Sequence, residues 1–176
     1  MFLADNEIKK EVQNGSIKIS NFDEKRLQQT SYDILLGNKF LVIKGNSSVF
    51  IDPVKKIYPD YHEINIKDGE QFILHPGETV LGLSKECFGS NNYLIQLSGK
   101  SSLARLGLIV HNTAGLINPG HFLNITFELA NLNKVPIILR PGMEIAQLLF
   151  SKISNTPTRL YEETGRYKRG EENFKV

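Results

Sequence analysis

Residues 98–131 read SGKSSLARLGLIVHNTAGLINPGHFLNITFELAN. The stretch opens on a Ser- and Arg-rich turn, passes through Thr-Ala-Gly and Asn-Pro-Gly turns, and closes on a run with apolar residues at alternate positions. Short apolar runs separated by Gly and Pro turns are typical of strands. The same punctuation extends outward from this stretch over most of the chain, and it predicts a mainly β fold, a sandwich or a barrel.

Helices are expected to be few. A short helix over residues 5–14 would begin at Asp5 as its N-cap and end before Gly15. Brief helical turns are expected at 23–29 and 101–106. Strands are expected at 16–20, 32–37, 39–43, 49–53, 62–66, 70–74, 78–83, 93–97, 107–111, 124–130, 136–139 and 144–152.

The apolar content falls after Ile153, so we expect a single β domain over 1–153 and a flexible tail over 154–176. The tail is mainly charged, and two interpretations stay open. It is either a solvated end of the chain or a lid that closes over a phosphorylated ligand with Arg159, Arg166, Lys168 and Arg169.

The composition indicates a soluble, cytoplasmic protein. The 176 residues carry 21 basic and 19 acidic side chains, a net charge of +2, so no large basic excess marks a protein of nucleic acids or membrane surfaces. The chain turns charged at Asp5, and no apolar run approaches the ~20 residues that span a bilayer. We therefore expect neither a secretory leader nor a membrane segment.

Zinc chemistry is not expected. The histidines are His62, His75, His111 and His121, and Cys87 is the single cysteine. A zinc deaminase needs three His or Cys ligands at defined spacings, and these residues do not provide them.

The segment Gly99–Arg105 combines a glycine, two hydroxyls and two cations around the start of a helical turn. The first backbone N–H groups of such a turn are unpaired and attract anions. The alternative is a capped turn with a surface arginine. The segment lacks the spacing of a Walker A loop.

Glu128 is a lone acid in an apolar strand. The period of two places Phe127 and Leu129 on one face and Thr126 with Glu128 on the other. A strand glutamate usually points to solvent, but this one can share its face with polar groups of neighbouring strands. Such a carboxylate could act as a general base and acid.

Together these motifs resemble those of the dCTP deaminases, a family of the trimeric dUTPase-like superfamily. The similarity covers about residues 31–150, and its order, spacing and extent agree. The matching segments are SYDILLGNKF (31–40), HPGETVLGLSKE (75–86), SGKSSLARLGLIVHNTAG (98–115), INPG (117–120), ITFELAN (125–131) and PIILRPGMEIAQLLF (136–150).

The resemblance implies a distorted antiparallel β-barrel or jelly roll of the dUTPase-like type, assembled as a homotrimer with active sites between subunits. Family members convert dCTP to dUTP and ammonia without zinc, within pyrimidine deoxynucleotide synthesis. Glu128 matches the catalytic glutamate. Ser101 and Arg105 match residues that organise the attacking water and the base, and the carbonyl of Ala114 matches one that holds that water.

The resemblance also implies a set of substrate contacts. Mg²⁺ is expected to accompany the phosphates of dCTP or dUTP, and dTTP inhibits many family members. The triphosphate would be gripped at Lys100, Ser101 and Ser102, the sugar at Asn118, and the pyrimidine beside Thr126 and Phe127. The remaining substrate-binding residues implied are Arg105, Gln147, Tyr161 and Lys168.

One position bears on how the phosphates are held, and two bear on the product. The family usually has Arg at position 100, and Lys100 keeps the charge but loses bidentate geometry. It usually has Asp at 118, and Asn118 cannot act as the base that hydrolyses dUTP. Gly115, in contrast, is like the bifunctional forms, since members that only deaminate often carry a bulkier residue there.

We weight Asn118 more heavily, because it removes a chemical capability. The expected reaction is therefore dCTP to dUTP. The alternatives are a bifunctional enzyme that yields dUMP and a catalytically silent, nucleotide-binding trimer.

Overall fold

A computed structural model of the chain describes residues 1–45, 47–165 and 167. The described residues form three helices, a 3-10 turn at Glu24–Arg26 and thirteen strands. The helices are α1 (Asp5–Gln13), α2 (Ser101–Ala104) and α3 (Tyr161–Thr164). The strands are β1 (Ile17–Ile19), β2 (Tyr32–Ile43), β3 (Tyr61–Asn65), β4 (Phe72–Leu74), β5 (Thr79–Ser84), β6 (Phe88–Ser90), β7 (Tyr93–Gly99), β8 (Leu108–Ile109), β9 (Leu116–Ile117), β10 (Phe122–Leu123), β11 (Thr126–Asn131), β12 (Ile137–Leu139) and β13 (Glu144–Lys152).

The strands form three antiparallel sheets. The largest has eight strands and curls on itself, with the order β8-β11-β5-β2-β13-β7-β9 and with β3 paired to β2. A three-stranded sheet (β1-β6-β10) and a two-stranded sheet (β12-β4) complete the body. The prediction of a mainly β, distorted antiparallel fold with a short N-terminal helix is confirmed.

The core lies inside the curl of the large sheet. Alternate residues of the central strands point inward, as in β11, where Phe127, Leu129 and Asn131 are buried and their neighbours are half-exposed. Burying one large apolar side chain contributes roughly 1.5–3 kcal/mol. The largest fully buried side chains are Tyr32, Phe40, Phe88, Phe127 and Phe150.

Strand β2 is continuous, whereas the sequence predicted two strands separated at Gly37. Gly37 instead marks a bulge, since the register against β5 shifts between Leu36 and Phe40. A Cβ at position 37 would lie 2.9 Å from the carbonyl oxygen of Leu83. The glycine therefore permits a close approach of two strands and does not end one.

The strand predicted at 49–53 is wrong. In this region the backbone makes only an isolated bridge between Asp52 and Ile57. The Asp52 carboxylate accepts the N–H groups of Val54 and Lys55 at 3.0 and 2.9 Å. These local bonds turn the chain at Pro53, in competition with a sheet ladder.

The first helix spans Asp5–Gln13, close to its predicted range of 5–14, but its N-cap is not Asp5. Ala4 is the N-cap, and its N–H donates to the Glu7 carboxylate at 3.2 Å, so Asp5 lies inside the first turn. The short strands β6, β9 and β10 were not predicted. Within the described ranges, no helix has the length and apolar character needed to cross a membrane.

A buried ion pair holds the start of β2. Arg26 and Glu86 are in direct contact, with side chains 10% and 2% exposed. The guanidinium also donates to the carbonyl oxygens of Asn21 at 2.9 Å and Asp33 at 3.3 Å. Glu86 in turn accepts the N–H of Leu35 at 3.0 Å. The pair thereby joins three chain segments around one charged contact.

Candidate active site

Glu128 lies on the outer face of β11, as the alternation predicts. It pairs with Leu81 of β5 in the antiparallel register, and its N–H donates to the carbonyl of Val110 at 3.2 Å. Its neighbours Phe127 and Leu129 point into the core. The core thus fixes the strand, and the strand presents the carboxylate.

The carboxylate of Glu128 is held in place by the backbone. The N–H of Asn112 donates to its Oε2 at 2.7 Å, a short, charge-assisted bond. Among the residues that the structure describes, none donates to the second oxygen, Oε1. One oxygen is therefore anchored while the other is available to a reacting group.

A pocket of about 360 Å³ lies in front of Glu128. Polar groups of Tyr61, Thr79, Asn112 and Thr113 line it together with apolar side chains of β2 and β5. Burial raises the pKa of the Tyr61 phenol, so it stays protonated near neutral pH. A carboxylate among hydrogen-bonding groups on an apolar wall is typical of a ligand site.

The two neighbours predicted to border the pyrimidine differ in placement. Thr126 is half-buried on the same face as Glu128, while the side chain of Phe127 is fully buried in the core. Any contact of Phe127 with a ligand would therefore come from its backbone.

A second pocket collects the residues predicted to grip phosphates. It is lined by Lys100, Ser101 and Ser102, and also by Gln147, which was predicted as a further substrate contact. Gln147 lies in β13 between Asp33 of β2 and Ser98 of β7. The chain therefore brings these predicted contacts together from α2 and the centre of the large sheet.

Lys100 is held by two carboxylates in this pocket. Its Nζ donates to Asp33 Oδ2 at 2.6 Å and to Glu144 Oε2 at 2.7 Å. Burial lowers the pKa of Lys100, but the hydrogen bonds that its ammonium donates to Asp33 and Glu144 outweigh burial and raise the pKa overall. The ammonium is therefore firmly charged, and neither of its partners was predicted from the sequence.

Arg105 and Ala114 lie on the surface of the single chain. Arg105 caps the C-terminal end of α2 and is exposed. Among the described residues it forms no ion pair, so the expected partner Glu128 is not in contact with it within one chain. Ala114 is exposed in the loop that leads from Asn112 to Gly115.

Tyr161 lies beside the turn that begins at Asn118, at a third location. Asn118 begins a turn whose next residue, Pro119, accepts the N–H of Tyr161 at 2.9 Å. The Tyr161 and His121 rings lie 5.2 Å apart, beside a pocket of about 320 Å³. The described start of the tail thus packs against the body. Lys168, with Arg166 and Arg169 of the proposed lid, lies outside the described residues.

Gly120 makes this tail contact possible. It has a φ of +89°, and a Cβ there would lie 2.7 Å from both Leu160 Cβ and Tyr161 N. Only glycine combines that backbone conformation with such a close approach.

The three locations do not merge within one chain. Among the residues with described positions, none lines more than one of the pocket of Glu128, the pocket of Lys100 and the pocket beside Tyr161. Strand β2 runs between two of them, with Asp33 in the pocket of Lys100 and Leu41 and Ile43 in the pocket of Glu128. In the described part of the chain, no three His, Cys, Asp or Glu side chains gather as a metal site requires.

Comparisons with known proteins identify relatives of the chain. The sequence model of a family described as dCTP deaminase-like matches residues 2–153. The "dCTP deaminase, dUMP-forming" of Dictyoglomus thermophilum is 42% identical over 170 residues, covering 94% of this chain and 88% of the relative. The protein of the same name from Corynebacterium jeikeium is 44% identical over 156 residues, covering 88% and 83%.

Solved structures share the fold. The 2'-deoxycytidine 5'-triphosphate deaminase of Agrobacterium tumefaciens superposes with a TM-score of 0.66 at 20% identity, covering 85% of this chain. This chain spans about half of that longer one, 46%. The dUTPase of Staphylococcus bacteriophage 80alpha gives a TM-score of 0.51 at 12% identity, covering 82% of this chain and 95% of the phage protein.

Proposed function

This chain belongs to the dCTP deaminase-like family, and from that premise we propose that it deaminates dCTP. One observation carries the proposal: the Glu128 carboxylate faces a pocket with one oxygen anchored by Asn112 and the other available. The whole set of residues implied for the reaction (Ser101, Arg105, Ala114 and Glu128) is present. The resemblance described above assigns each of them to a position of the family's site.

The reaction needs one group that takes and returns a proton. Water adds to C4 of the cytosine, N3 gains a proton, and ammonia leaves. Glu128 takes one proton from the attacking water and delivers it to N3. It then passes the remaining hydroxyl proton to the C4 amino group, so that the C4–N bond breaks, ammonia leaves and the C4 carbonyl forms. General acid–base catalysis of this kind is worth ~10²–10⁴-fold in rate. Ser101 and the Ala114 carbonyl hold the water, and Arg105 helps to orient the base.

We infer that the complete site forms between subunits of a homotrimer. Arg105 and Glu128 do not touch within one chain, and the pockets of Glu128 and Lys100 share no lining residue. A symmetric assembly can bring such separate surfaces together. Mg²⁺ enters this proposal with the nucleotide, because the phosphates supply the oxygen ligands that it prefers.

We propose dUMP as the final product. The relatives at 40–44% identity are named dUMP-forming. Gly115 supports the same product, because the resemblance associates a small residue here with the bifunctional forms. The structure has little room for a larger one, since a Cβ would lie 3.1 Å from the His111 ring and from the Leu97 carbonyl. A bulkier residue would displace the loop that anchors Glu128. The second candidate product is dUTP, favoured by Asn118, which lacks a carboxylate to activate water.

Product analysis separates these candidates. We expect purified protein with Mg²⁺ and dCTP to release ammonia, dUMP and pyrophosphate, measured by chromatography. Accumulation of dUTP would favour the second candidate, and nucleotide binding without turnover would indicate a silent trimer. Adding dTTP to the same reaction tests whether this nucleotide inhibits the protein.

The variant Asn118→Asp tests the role of that side chain. A carboxylate can accept a proton from water and an amide cannot, so we expect hydrolysis of dUTP to dUMP to rise about tenfold or more. The matched control is Asn6→Asp, the same substitution at an exposed position of α1, which should leave the rate unchanged. An equal rate in both variants would contradict a role for position 118 in hydrolysis.

Deletion of residues 160–176 tests the tail as a lid. We expect the KM for dCTP to rise about tenfold or turnover to be lost, because Tyr161 and the positive residues after it would no longer close on the nucleotide. Gly120→Ala, which pushes Leu160 away without shortening the chain, should raise KM in the same direction. Kinetics equal to those of the full chain would show that the tail has no part in binding.

A further inference from the structure

The ammonium of Lys100 lies between two carboxylates of very different exposure. The side chain of Asp33 is 2% exposed and that of Glu144 is 46% exposed, while Lys100 itself is 21% exposed. Asp33 is the second residue of β2 and is buried, whereas Glu144 is the first residue of β13 and is partly exposed. One partner is therefore fixed by the fold and the other borders on solvent.

Asp33 cannot readily leave this contact. Its Oδ2 also accepts a hydrogen bond from Gln28 Nε2 at 3.0 Å, and the backbone carbonyl of Asp33 accepts one from the Arg26 guanidinium. Its Oδ1 is buried without a partner among the described residues. A buried carboxylate with one unsatisfied oxygen is costly, so Asp33 depends on Lys100 for compensation.

The charges of Lys100, Asp33 and Glu144 together do not favour binding of a nucleotide in this arrangement. Two carboxylates against one ammonium leave a negative excess, which repels a triphosphate. An ammonium has three donors, and Asp33 and Glu144 occupy two of them. The exposed Glu144 is the partner that can move into water at small cost, because exposed ion pairs contribute little to stability.

We propose that Asp33 is a positioning residue that aims Lys100 at the nucleotide, and that Glu144 holds the place which a phosphate oxygen takes when the nucleotide binds. The inference rests on the proposed function, because it assigns the phosphate end of that site. It also accounts for the use of Lys where the family usually has Arg. An ammonium lacks the fixed planar geometry of a guanidinium, so a neighbouring group must orient it, and Asp33 is that group.

The proposal predicts opposite effects of the two carboxylates. Glu144→Gln removes a competitor for the ammonium, so we expect dCTP to bind about two- to fivefold more tightly. Asp33→Asn removes the guide, so we expect binding about tenfold weaker. The measurement is isothermal titration of dCTP with Mg²⁺, and a second titration with tripolyphosphate isolates the phosphate end of the ligand.

Simple repulsion or a purely structural role would shift the Kd of both variants in the same direction. If the carboxylates acted only by repulsion, both variants would bind dCTP more tightly; if they only supported the fold, both would bind it more weakly. The matched control is Glu24→Gln, which removes an exposed carboxylate paired with Lys9 at 2.9 Å and should not change the Kd. Should the Asp33→Asn protein fail to fold, Glu144→Gln decides alone, and weaker or unchanged binding overturns the proposal.

Failure of the proposed function and failure of this assignment give different results. Absence of dCTP deamination by the unmodified protein contradicts the proposed function, whatever the variants do. Deamination by the unmodified protein, together with a common direction of the two Kd shifts, contradicts only the assignment of Asp33 and Glu144. Opposite shifts with tripolyphosphate support that assignment independently of the base.

Discussion

The Glu128→Gln variant is expected to lose deamination of dCTP by ~10²–10⁴-fold while it still binds the nucleotide. The amide keeps the size of the side chain and can still accept the Asn112 N–H, which the carboxylate accepts at 2.7 Å. It cannot take a proton from water, so the step at C4 loses its base. Turnover is measured as ammonia release and binding by titration, and near-normal turnover would contradict the assignment.

Glu78→Gln is the matched control for this variant. Glu78 is exposed, and its carboxylate accepts the N–H of His75 at 3.0 Å, so the same substitution keeps a similar backbone bond outside the pocket. We expect its turnover to equal that of the unmodified protein. A comparable loss in both variants would point to damage of the fold and away from catalysis.

Mixing of two inactive variants tests the shared site directly. If Glu128 and Arg105 reach one site from different subunits, trimers assembled from equal amounts of Glu128→Gln and Arg105→Ala contain intact sites. Random assembly then restores about a quarter of the activity, since each site needs the right chain at two positions. No recovery would place both residues in one subunit.

The Arg26→Met variant is expected to lower the free energy of unfolding by about 3–5 kcal/mol. It leaves Glu86 charged and buried, and it removes the donors to the carbonyls of Asn21 and Asp33. The replacement keeps an unbranched apolar side chain, so loss of packing is limited. Chemical denaturation at a fixed protein concentration measures the effect, so that the proposed assembly of subunits does not alter the comparison.

Two further variants make this prediction specific. Lys25→Met, the same kind of change at the exposed neighbour, should alter the free energy of unfolding by less than about 0.5 kcal/mol. The double variant Arg26→Met with Glu86→Leu should recover part of the lost stability, because no charge stays buried alone. A loss below about 1 kcal/mol for Arg26→Met would show that the ion pair of Arg26 and Glu86 adds little to the free energy of unfolding apart from the packing of its side chains.

The sequence predicts most of this fold because its signals are local. The β11 strand is identified by alternation alone, and the structure confirms that alternation in burial. The failure at 49–53 has a local cause as well, since the Asp52 side chain captures backbone N–H groups that a strand would have used. The missed strands β6, β9 and β10 have only two or three residues each, too short a pattern to detect.

The site divides differently. Glu128 stands out as an acid within apolar neighbours, and Asp33, between Tyr32 and Ile34, carries the same signal. Asn112 acts through its backbone N–H, and a backbone group leaves no trace in residue type. Glu144 contacts Lys100 across 44 positions of sequence, which only the pairing of β7 with β13 brings about.

Strand β2 acts as a fixed spacer. Asp33 lies in one pocket and Leu41 in the other, and eight residues of extended chain measure about 26 Å. A strand of that length keeps the pocket of Lys100 apart from the pocket of Glu128 within each copy. Energetic effects at positions this far apart add independently. Substitutions at the two ends of β2 are therefore expected to have additive effects on the free energy of unfolding of one chain, whereas their effects on turnover would be coupled if subunits bring the two pockets to one substrate.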